Sequence, residues 1–498
     1  MRSVHIIGSG FAGLSAACFM ARAGWDVTVL EKLPEPGGRA RQLTIQGFQF
    51  DMGPSWYWMP DIFDRFFKEF GKNTSDFYQL KRLDPSYRVY WENGVTDVPA
   101  GRESLRKLFD SIEPGTGERL RQFLKEAAEK YREGMKMAYQ PGLSVNEFLR
   151  LSMLKAALKL DLFSSVKKHI DRSFKNEKLR MLLAFPSLFL GALPQNTPAM
   201  YSLMNYADME LGTWYPKGGL AKVAESIYDL AVSLGVQFKF DEPVERFTIE
   251  DNQIRSIHSS KAVYQTEQVI SGADYHYIES LLSKPFQSYS AAYWNKRKMA
   301  PSCLLYYVGL SKKIEGLQHH TLFFDESFDL HSHNLYDVPK WPERPLFYMN
   351  APSVTDSNVC PPGCENLFLL IPVSAGLTGD NEELRESYFQ MILKRIEAKT
   401  GQNISGSIVV KKTFAGSDFE NLYNSFKGNA YGLANTLSQT ALFKPSCRSK
   451  KLNNLFYCGQ LTVPGPGVPP ALISGEIAAR EVLKSNTVKS IVHDFHFS

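Results

Sequence analysis

Val4-His5-Ile6-Ile7-Gly8-Ser9-Gly10-Phe11-Ala12-Gly13 decides the fold class of this 498-residue chain. Val4 to Ile7 reads as a short parallel strand buried on both faces. Gly8, Gly10 and Gly13 follow in G-x-G-x-x-G spacing, and residues 14–23 carry a helical pattern with the small residues Ala16, Ala17 and Ala21. Gly24 is placed to stop that helix, Asp26 to Leu30 reads as a second strand, and Glu31 ends it. The three glycines act differently. Gly8 permits the tight turn, Gly10 lets the backbone approach a pyrophosphate, and Gly13 lets helix and strand pack closely. The free N–H groups and positive dipole end of the helix face the phosphates, with Ser9, Phe11 and Ala12 in the turn. Glu31, 31 − 13 = 18 residues beyond Gly13, is placed to accept the ribose hydroxyls and to repel a 2′-phosphate. A structural glycine turn needs neither the flanking strands nor the terminal acid.

This fingerprint serves NAD and FAD alike, and the next segments discriminate. Pro36-Gly37-Gly38-Arg39-Ala40 follows Glu31 and Lys32. Its glycines again permit close backbone approach, and Arg39 offers a fork of donors to a phosphate. The arrangement resembles the glutathione-reductase-like flavoproteins, a class that includes amine oxidases and carotenoid desaturases, and implies FAD. In that class the segment corresponding to Asp51-Met52-Gly53-Pro54-Ser55 runs beside the flavin, which places Gly53, Pro54 and Ser55 there.

The bulk numbers set limits. A net charge of 57 − 52 = +5 is weak for this length; it does not argue for nucleic acid and permits contact with an anionic membrane surface. Six sparse cysteines suggest no disulfide framework, and Cys360-Pro361-Pro362-Gly363-Cys364 reads as a Pro-Gly loop rather than half a zinc site. The opening residues predict no secretory leader, and the longest apolar stretch, 181–193, holds Pro186 and is too short to span a bilayer. A cytoplasmic protein with peripheral membrane association is expected.

Further along, Phe63, Phe66, Phe67 and Phe70 form a helical core stripe, and residues 89–98 around Asn93-Gly94 predict a hairpin. Residues 143–185 mix leucines with Lys155, Lys159, Lys167 and Lys168, a pattern shared by ordinary amphipathic helices and by helices lying in a membrane interface. A helix over about 220–234, a strand at 237–240, Val244 and a strand at 269–271 return the chain to the nucleotide fold. It returns again with residues 454–460, the loop Pro464-Gly465-Pro466-Gly467-Val468-Pro469 and a helix from about Ala471. The nucleotide domain is therefore discontinuous.

Four segments in order resemble bacterial carotenoid desaturases of the phytoene desaturase type across nearly the whole chain. They are the fingerprint through Arg39; Pro198-Ala199-Met200-Tyr201-Ser202-Leu203 running to Trp214-Tyr215-Pro216-Lys217-Gly218-Gly219; Gly428-Asn429-Ala430-Tyr431-Gly432; and Phe443-Lys444-Pro445 through Gly467-Val468-Pro469. Gln460 and Pro470 depart from the expected residues, an acidic or small one and a glycine. The resemblance implies an α/β fold: a Rossmann-like FAD-binding domain (1–75, 216–275, 426–498), an inserted α+β substrate domain (76–142, 276–425) and a helical, membrane-associating part (143–215). Lys32, Val244, Gly459, Gln460, Gly467, Val468 and Pro469 join the implied FAD contacts.

The implied activity is dehydrogenation of a carotenoid, phytoene towards lycopene, by hydride transfer to flavin and loss of a proton from the neighbouring carbon. Quinone or O2 is the implied electron acceptor, and a substrate that lives in a bilayer makes 143–185 the candidate membrane patch. Asp208 and Glu210 are candidate proton acceptors, though each reads equally as a surface carboxylate; Tyr57 and Trp214 are candidate substrate-cavity residues. His319, His320, His331 and His333 read as loop histidines, and no metal is expected. The alternatives are a desaturase of a hydroxylated C40 or a C30 carotenoid, a flavin amine oxidase, and a prenyl-binding escort of the GDP-dissociation-inhibitor kind, which lacks an intact FAD fingerprint.

Overall fold

The computed structural model describes residues 2–143, 164–188, 191–440 and 443–494. Ser3–Ile7 is the middle strand of a five-stranded parallel sheet ordered Leu455–Tyr457, Gln268–Ser271, Ser3–Ile7, Asp26–Leu30, Gln237–Lys239. Ile6 sits between Val29 and Ile270 and is fully buried, as expected of a parallel strand covered on both faces. Phe11–Arg22 follows the first strand and packs against Val468–Asp494 so closely that a side chain at Gly475 would lie 2.2 Å from the Ala12 carbonyl. Ser15 Oγ donates to the Leu472 carbonyl at 2.7 Å across the same contact. The last helix begins at Val468, three residues before the expected Ala471. Pro469 and Pro470 occupy its first turn, where the missing N–H groups cost nothing.

The sheet is assembled from distant parts of the chain. Between Gln237–Lys239 and Gln268–Ser271 lies an antiparallel sheet of Val244–Glu250, Gln253–Ser259 and Val263–Gln265. A seven-stranded sheet runs Ile408–Phe414, Ser302–Leu310, Glu365–Val373, Phe347–Asn350, His320–Phe324, Tyr87–Trp91, Val95–Val98; the pairing of 321–324 with 88–91 is parallel, the rest antiparallel. The expected hairpin is its last pair, closed over Asn93-Gly94. Ser302–Leu310 is buried along its whole length. Its alternate residues Leu304, Tyr306 and Val308 pack towards the helix Glu382–Thr400, whereas Cys303, Leu305 and Tyr307 face the nucleotide-binding side.

Part of the lysine-rich stretch differs from expectation. Residues 144–163 lie outside the described residues. Beyond them, Val166–Ser173 and Glu177–Leu188 are helices whose Val166, Ile170, Leu179, Leu182 and Leu183 are at most 1% exposed. The apolar faces of these two helices pack into the core. Among the described residues no helix is long and apolar enough to cross one.

Candidate active site

A cavity opens at the carboxyl ends of the parallel strands, lined there by Ile7, Leu30, Gly272 and Cys458. The glycine fingerprint shapes its floor. Gly8 turns the chain at φ +91°, and a side chain at Gly13 would lie 1.9 Å from the Gly8 carbonyl. At Gly10 an added Cβ would meet nothing within 4 Å, so the missing side chain is space left open. The helix Phe11–Arg22 starts at this point without a capping side chain, leaving its first-turn N–H groups for an anion. A second glycine segment stacks on the first: a Cβ at Gly38 would meet the Gly10 Cα at 3.2 Å, and one at Gly53 would meet the Arg39 carbonyl at 2.7 Å. Backbone lies on backbone here, and glycine is the residue that permits it.

Charged groups are placed around this floor. Glu31 is buried; its Oε2 accepts from Ser9 N at 2.6 Å and Ser9 Oγ at 2.7 Å, and its Oε1 from Leu33 N at 2.9 Å. Each oxygen keeps capacity for a further donor. Lys32 Nζ is held at the rim by the Asn421 carbonyl at 2.7 Å and Asn424 Oδ1 at 3.1 Å. Arg39 donates from Nη2 to Ser425 Oγ at 2.5 Å and lies over Tyr423, while its Nε is buried without a partner among the described residues. Burial pulls its pKa below the ordinary value, and the nearby Asp274 carboxylate and Tyr423 offset part of that pull. Val244 lines the far end, and Gly459, Gln460, Gly467 and Val468 line the near end. With its amide turned to satisfy both ends, Gln460 donates to the Tyr431 carbonyl at 3.2 Å and its oxygen accepts from Arg39 Nη2 at 3.0 Å. Ser9 and Gly13 act behind the lining. The open floor at Gly10, the uncapped helix and the unpartnered Arg39 Nε fit a dinucleotide with an anionic middle. Sequence reasoning missed Asp274, Tyr277 and Tyr423 on these walls; only Asp274 carried a signal, a strand running into a glycine, Gly272, as the first strand runs into Gly8.

A second, apolar cavity adjoins the first, and Gly53, Pro54, Cys303, Leu370, Tyr431, Gly467 and Val468 line both. Its walls are Trp56, Trp58, Phe185, Phe324, Phe347 and Tyr348 with Met59, Met204, Leu322 and Leu346. Ser55, Pro469 and Pro470 belong to this cavity. Among the described residues no Asp, Glu, Lys or Arg lines it.

The expected substrate and proton-transfer residues sit elsewhere. Tyr57 points away from the cavity, stacked on Phe63 with centroids 4.5 Å apart and hydrogen-bonded to the Tyr78 hydroxyl at 2.9 Å. Trp214 pairs with Tyr57 through the backbone, and its indole donates to the Leu211 carbonyl. Asp208 is buried behind the wall, accepting from Tyr87 OH at 3.1 Å and Thr213 Oγ1 at 3.2 Å. Thr213 in turn accepts from Trp58 Nε1 at 2.8 Å, so Asp208 steadies the tryptophan from outside the cavity. Burial pushes its carboxyl up to about 7. Glu210 is ion-paired with Arg102.

Of the four histidines expected in loops, only His319 lies in one, the bend before the strand His320–Phe324. His320 lies in a strand of the large sheet, and His331 and His333 in the helix Phe328–Tyr336. His319 packs on Tyr215, and burial pulls its pKa down to about 3. His331 uses both ring nitrogens, at the Pro372 carbonyl and the Leu346 N–H, and is pulled down to about 4 by burial. Among the described residues no cluster of three or more His, Cys, Asp or Glu could hold a metal ion, and the six cysteines are free thiols.

Comparison with known proteins agrees with this geometry. Residues 11–483 match the flavin containing amine oxidoreductase family. A carotenoid 3,4-desaturase of Haloarcula japonica is 39% identical, over 97% of this chain and 98% of the relative. The chain belongs to the carotenoid desaturases within that family. A zeta-carotene-forming phytoene desaturase of Myxococcus xanthus is 28% identical over 97% of this desaturase chain and 94% of its own. A solved putrescine oxidase, at 14% identity, shares the fold with a TM-score of 0.63 over 97% of this chain and 99% of that one. FAD is the cofactor of this desaturase.

Proposed function

We propose that this desaturase dehydrogenates an acyclic carotenoid drawn from a membrane surface, with phytoene carried towards lycopene as the first substrate to test. The observation that carries the reading is the charge-free aromatic cavity meeting the cofactor cradle at Gly53, Pro54, Gly467 and Val468. A polyene has no heteroatom to recognise, so binding rests on burying apolar surface against such walls. FAD, when bound, supplies the hydride acceptor. Glu31 would hold the ribose hydroxyls, the first-turn N–H groups beyond Gly10 the pyrophosphate, and Arg39 would balance its charge. Val244 would back the adenine end, Gly459 and Gln460 the ribityl chain, and the start of the helix Val468–Asp494 the ring. The faces of Trp56, Trp58 and Tyr348 favour positive charge developing on the polyene and exclude water from it. Quinone or O2 serves as the final electron acceptor.

A second reading, 3,4-desaturation of a carotenoid, is favoured by the 39% identity to the Haloarcula japonica relative over nearly the full length of both chains. Expression in a host accumulating phytoene, with pigment analysis, separates them: red-shifted polyenes from phytoene support the first. Inertness to phytoene with conversion of an already conjugated carotenoid supports the second. Hydrogen peroxide release from amines with inertness to every carotene would overturn both.

A further inference from the structure

Desaturation removes a hydride and a proton from adjacent carbons. The candidate carboxylates Asp208 and Glu210 lie outside the apolar cavity, so the proton needs another acceptor. Few groups on the cavity wall qualify. Ser302 Oγ is bonded to the Gly428 carbonyl, and both nitrogens of His331 are occupied. Among the described residues, the hydroxyls of Ser332, Tyr336 and Tyr431 are hydrogen-bonded to no basic group. Ser55 and Tyr348 differ. Ser55 Oγ lies 3.0 Å from Tyr348 OH, which lies 2.6 Å from His320 Nδ1. Both hydroxyl residues line the apolar cavity, and Ser55 directly follows the shared wall residues Gly53 and Pro54. Asn350 Nδ2, 3.4 Å from the same His320 nitrogen, is a second donor aimed at it, which sets Nδ1 as an acceptor. The His320 ring is fully buried and stacked on Trp56, centroids 4.0 Å apart and planes at 9°; its Nε2 has no partner among the described residues.

We propose that Ser55, Tyr348 and His320 form the chain that takes the proton in the desaturation; this rests on the carotenoid-desaturase reading above. Bound flavin would supply the acceptor for one C–H hydride, which would leave the substrate an allylic cation. The neighbouring C–H then gives its proton to the Ser55–Tyr348 oxygens as the Tyr348 proton moves to His320 Nδ1. The C–H electron pair becomes the new double bond. The imidazolium is held against the Trp56 face, which favours a cation. Once product has left, the proton returns through Tyr348 and Ser55 to water. Burial holds His320 well below the ordinary imidazole range, making it a weak base. A weak base suffices, because the proton beside an allylic cation is strongly acidic, and a weak base releases it readily for the next turn.

The test uses the flavin-loaded protein with 15N-labelled histidine, together with Tyr348→Phe, His320→Gln and Ser55→Ala. The wild type should show one imidazole with Nδ1 as hydrogen-bond acceptor, and Tyr348→Phe should move that resonance towards the free-nitrogen position, with the weaker Asn350 contact left. Turnover should fall about 10²- to 10⁴-fold in Tyr348→Phe and His320→Gln, and about tenfold in Ser55→Ala, with flavin absorbance and carotenoid binding kept. Turnover in Tyr348→Phe within about threefold of wild type, or an Nδ1 that carries the proton in the wild type, overturns the chain. If the larger changes lose flavin, Ser55→Ala decides by the same threshold. A wild type that converts no carotenoid sinks the parent reading instead, and the imidazole spectrum still decides the direction of the hydrogen bond.

Discussion

The two cavities share the wall at Gly53, Pro54, Gly467 and Val468, but the first is made of backbone and the second of side chains. In the cofactor cradle the functional atoms are N–H groups, carbonyls and the absence of Cβ atoms, held by Gly8, Gly10, Gly13, Gly38 and Gly53 within three short segments. In the apolar cavity, Trp56 and Trp58 come from one segment, Phe185 from another, and Phe324, Phe347 and Tyr348 from two strands of the large sheet. An ionic cofactor common to many chemistries needs fixed dipoles. A hydrocarbon needs area and shape, which many side-chain sets can supply.

The largest effects should come from breaking the cradle. Gly13→Ala places a Cβ 1.9 Å from the Gly8 carbonyl, and the helix must lift from the strand. We expect flavin to be lost and stability to fall by about 3 kcal/mol or more, read by absorbance and thermal unfolding. Gly10→Ala separates cofactor space from protein packing. Gly10 has φ −72°, open to any residue, and nothing within 4 Å of an added Cβ. The apoprotein should be no less stable, while flavin affinity falls by about 1–3 kcal/mol, roughly 5- to 150-fold, in a flavin titration. Equal loss of apoprotein stability in the two variants would show that Gly10 serves packing rather than the cofactor.

Trp58→Phe tests the other side of the comparison. It keeps an aromatic wall but drops the bond to Thr213 Oγ1. Flavin content should stay at wild-type level, stability should fall by about 1–2 kcal/mol, and carotenoid turnover should drop several-fold. Flavin loss in this variant would mean that the cavities are not separately built.

The same contrast explains what could be read from sequence. Glycine spacing is legible because the backbone conformation itself demands it, locally and in order: Gly8 to Gly13, Gly37 to Arg39, Gly459 to Gly467. Side-chain walls carry no such mark. Trp56, Tyr57 and Trp58 are three aromatics in succession, and an extended segment points alternate residues to opposite sides. Only the pairing of Tyr57 with Trp214 shows that the even-numbered pair faces the cavity. Likewise, His320 and Tyr348 are brought together by the pairing of His320–Phe324 with Phe347–Asn350, and Ser55 reaches Tyr348 from a distant segment, contacts no local pattern announces. The lysine-rich pattern could not assign its own face for a related reason: amphipathicity reports that a face is apolar, not what covers it, and in Val166–Ser173 and Glu177–Leu188 the core covers it.

Two buried ionisable groups, one behind each region, give the smallest and most specific test. Asp208, behind the aromatic wall, is raised by burial from 3.8 to about 7. Its folded form therefore binds more protons than the unfolded chain between those values, and stability falls as pH rises from about 4 to about 7. Lys444 lies under the loop leading to Gly467, its Nζ buried, unpartnered among the described residues and 3.1 Å from where a Gly465 Cβ would be. Burial lowers it from 10.5 to about 7, so the unfolded chain binds more protons across that window and stability rises with pH from about 7 to about 10.5. One proton contributes a slope of at most about 1.4 kcal/mol per pH unit. Asp208→Asn should flatten the acid-side fall alone and Lys444→Met the alkaline-side rise alone, in urea unfolding followed across pH. The pair then isolates each region by the sign of its slope. If Lys444→Met leaves the alkaline limb unchanged, Lys444 is paired or solvated in the folded protein, and the loop over it is looser than the cradle it supports.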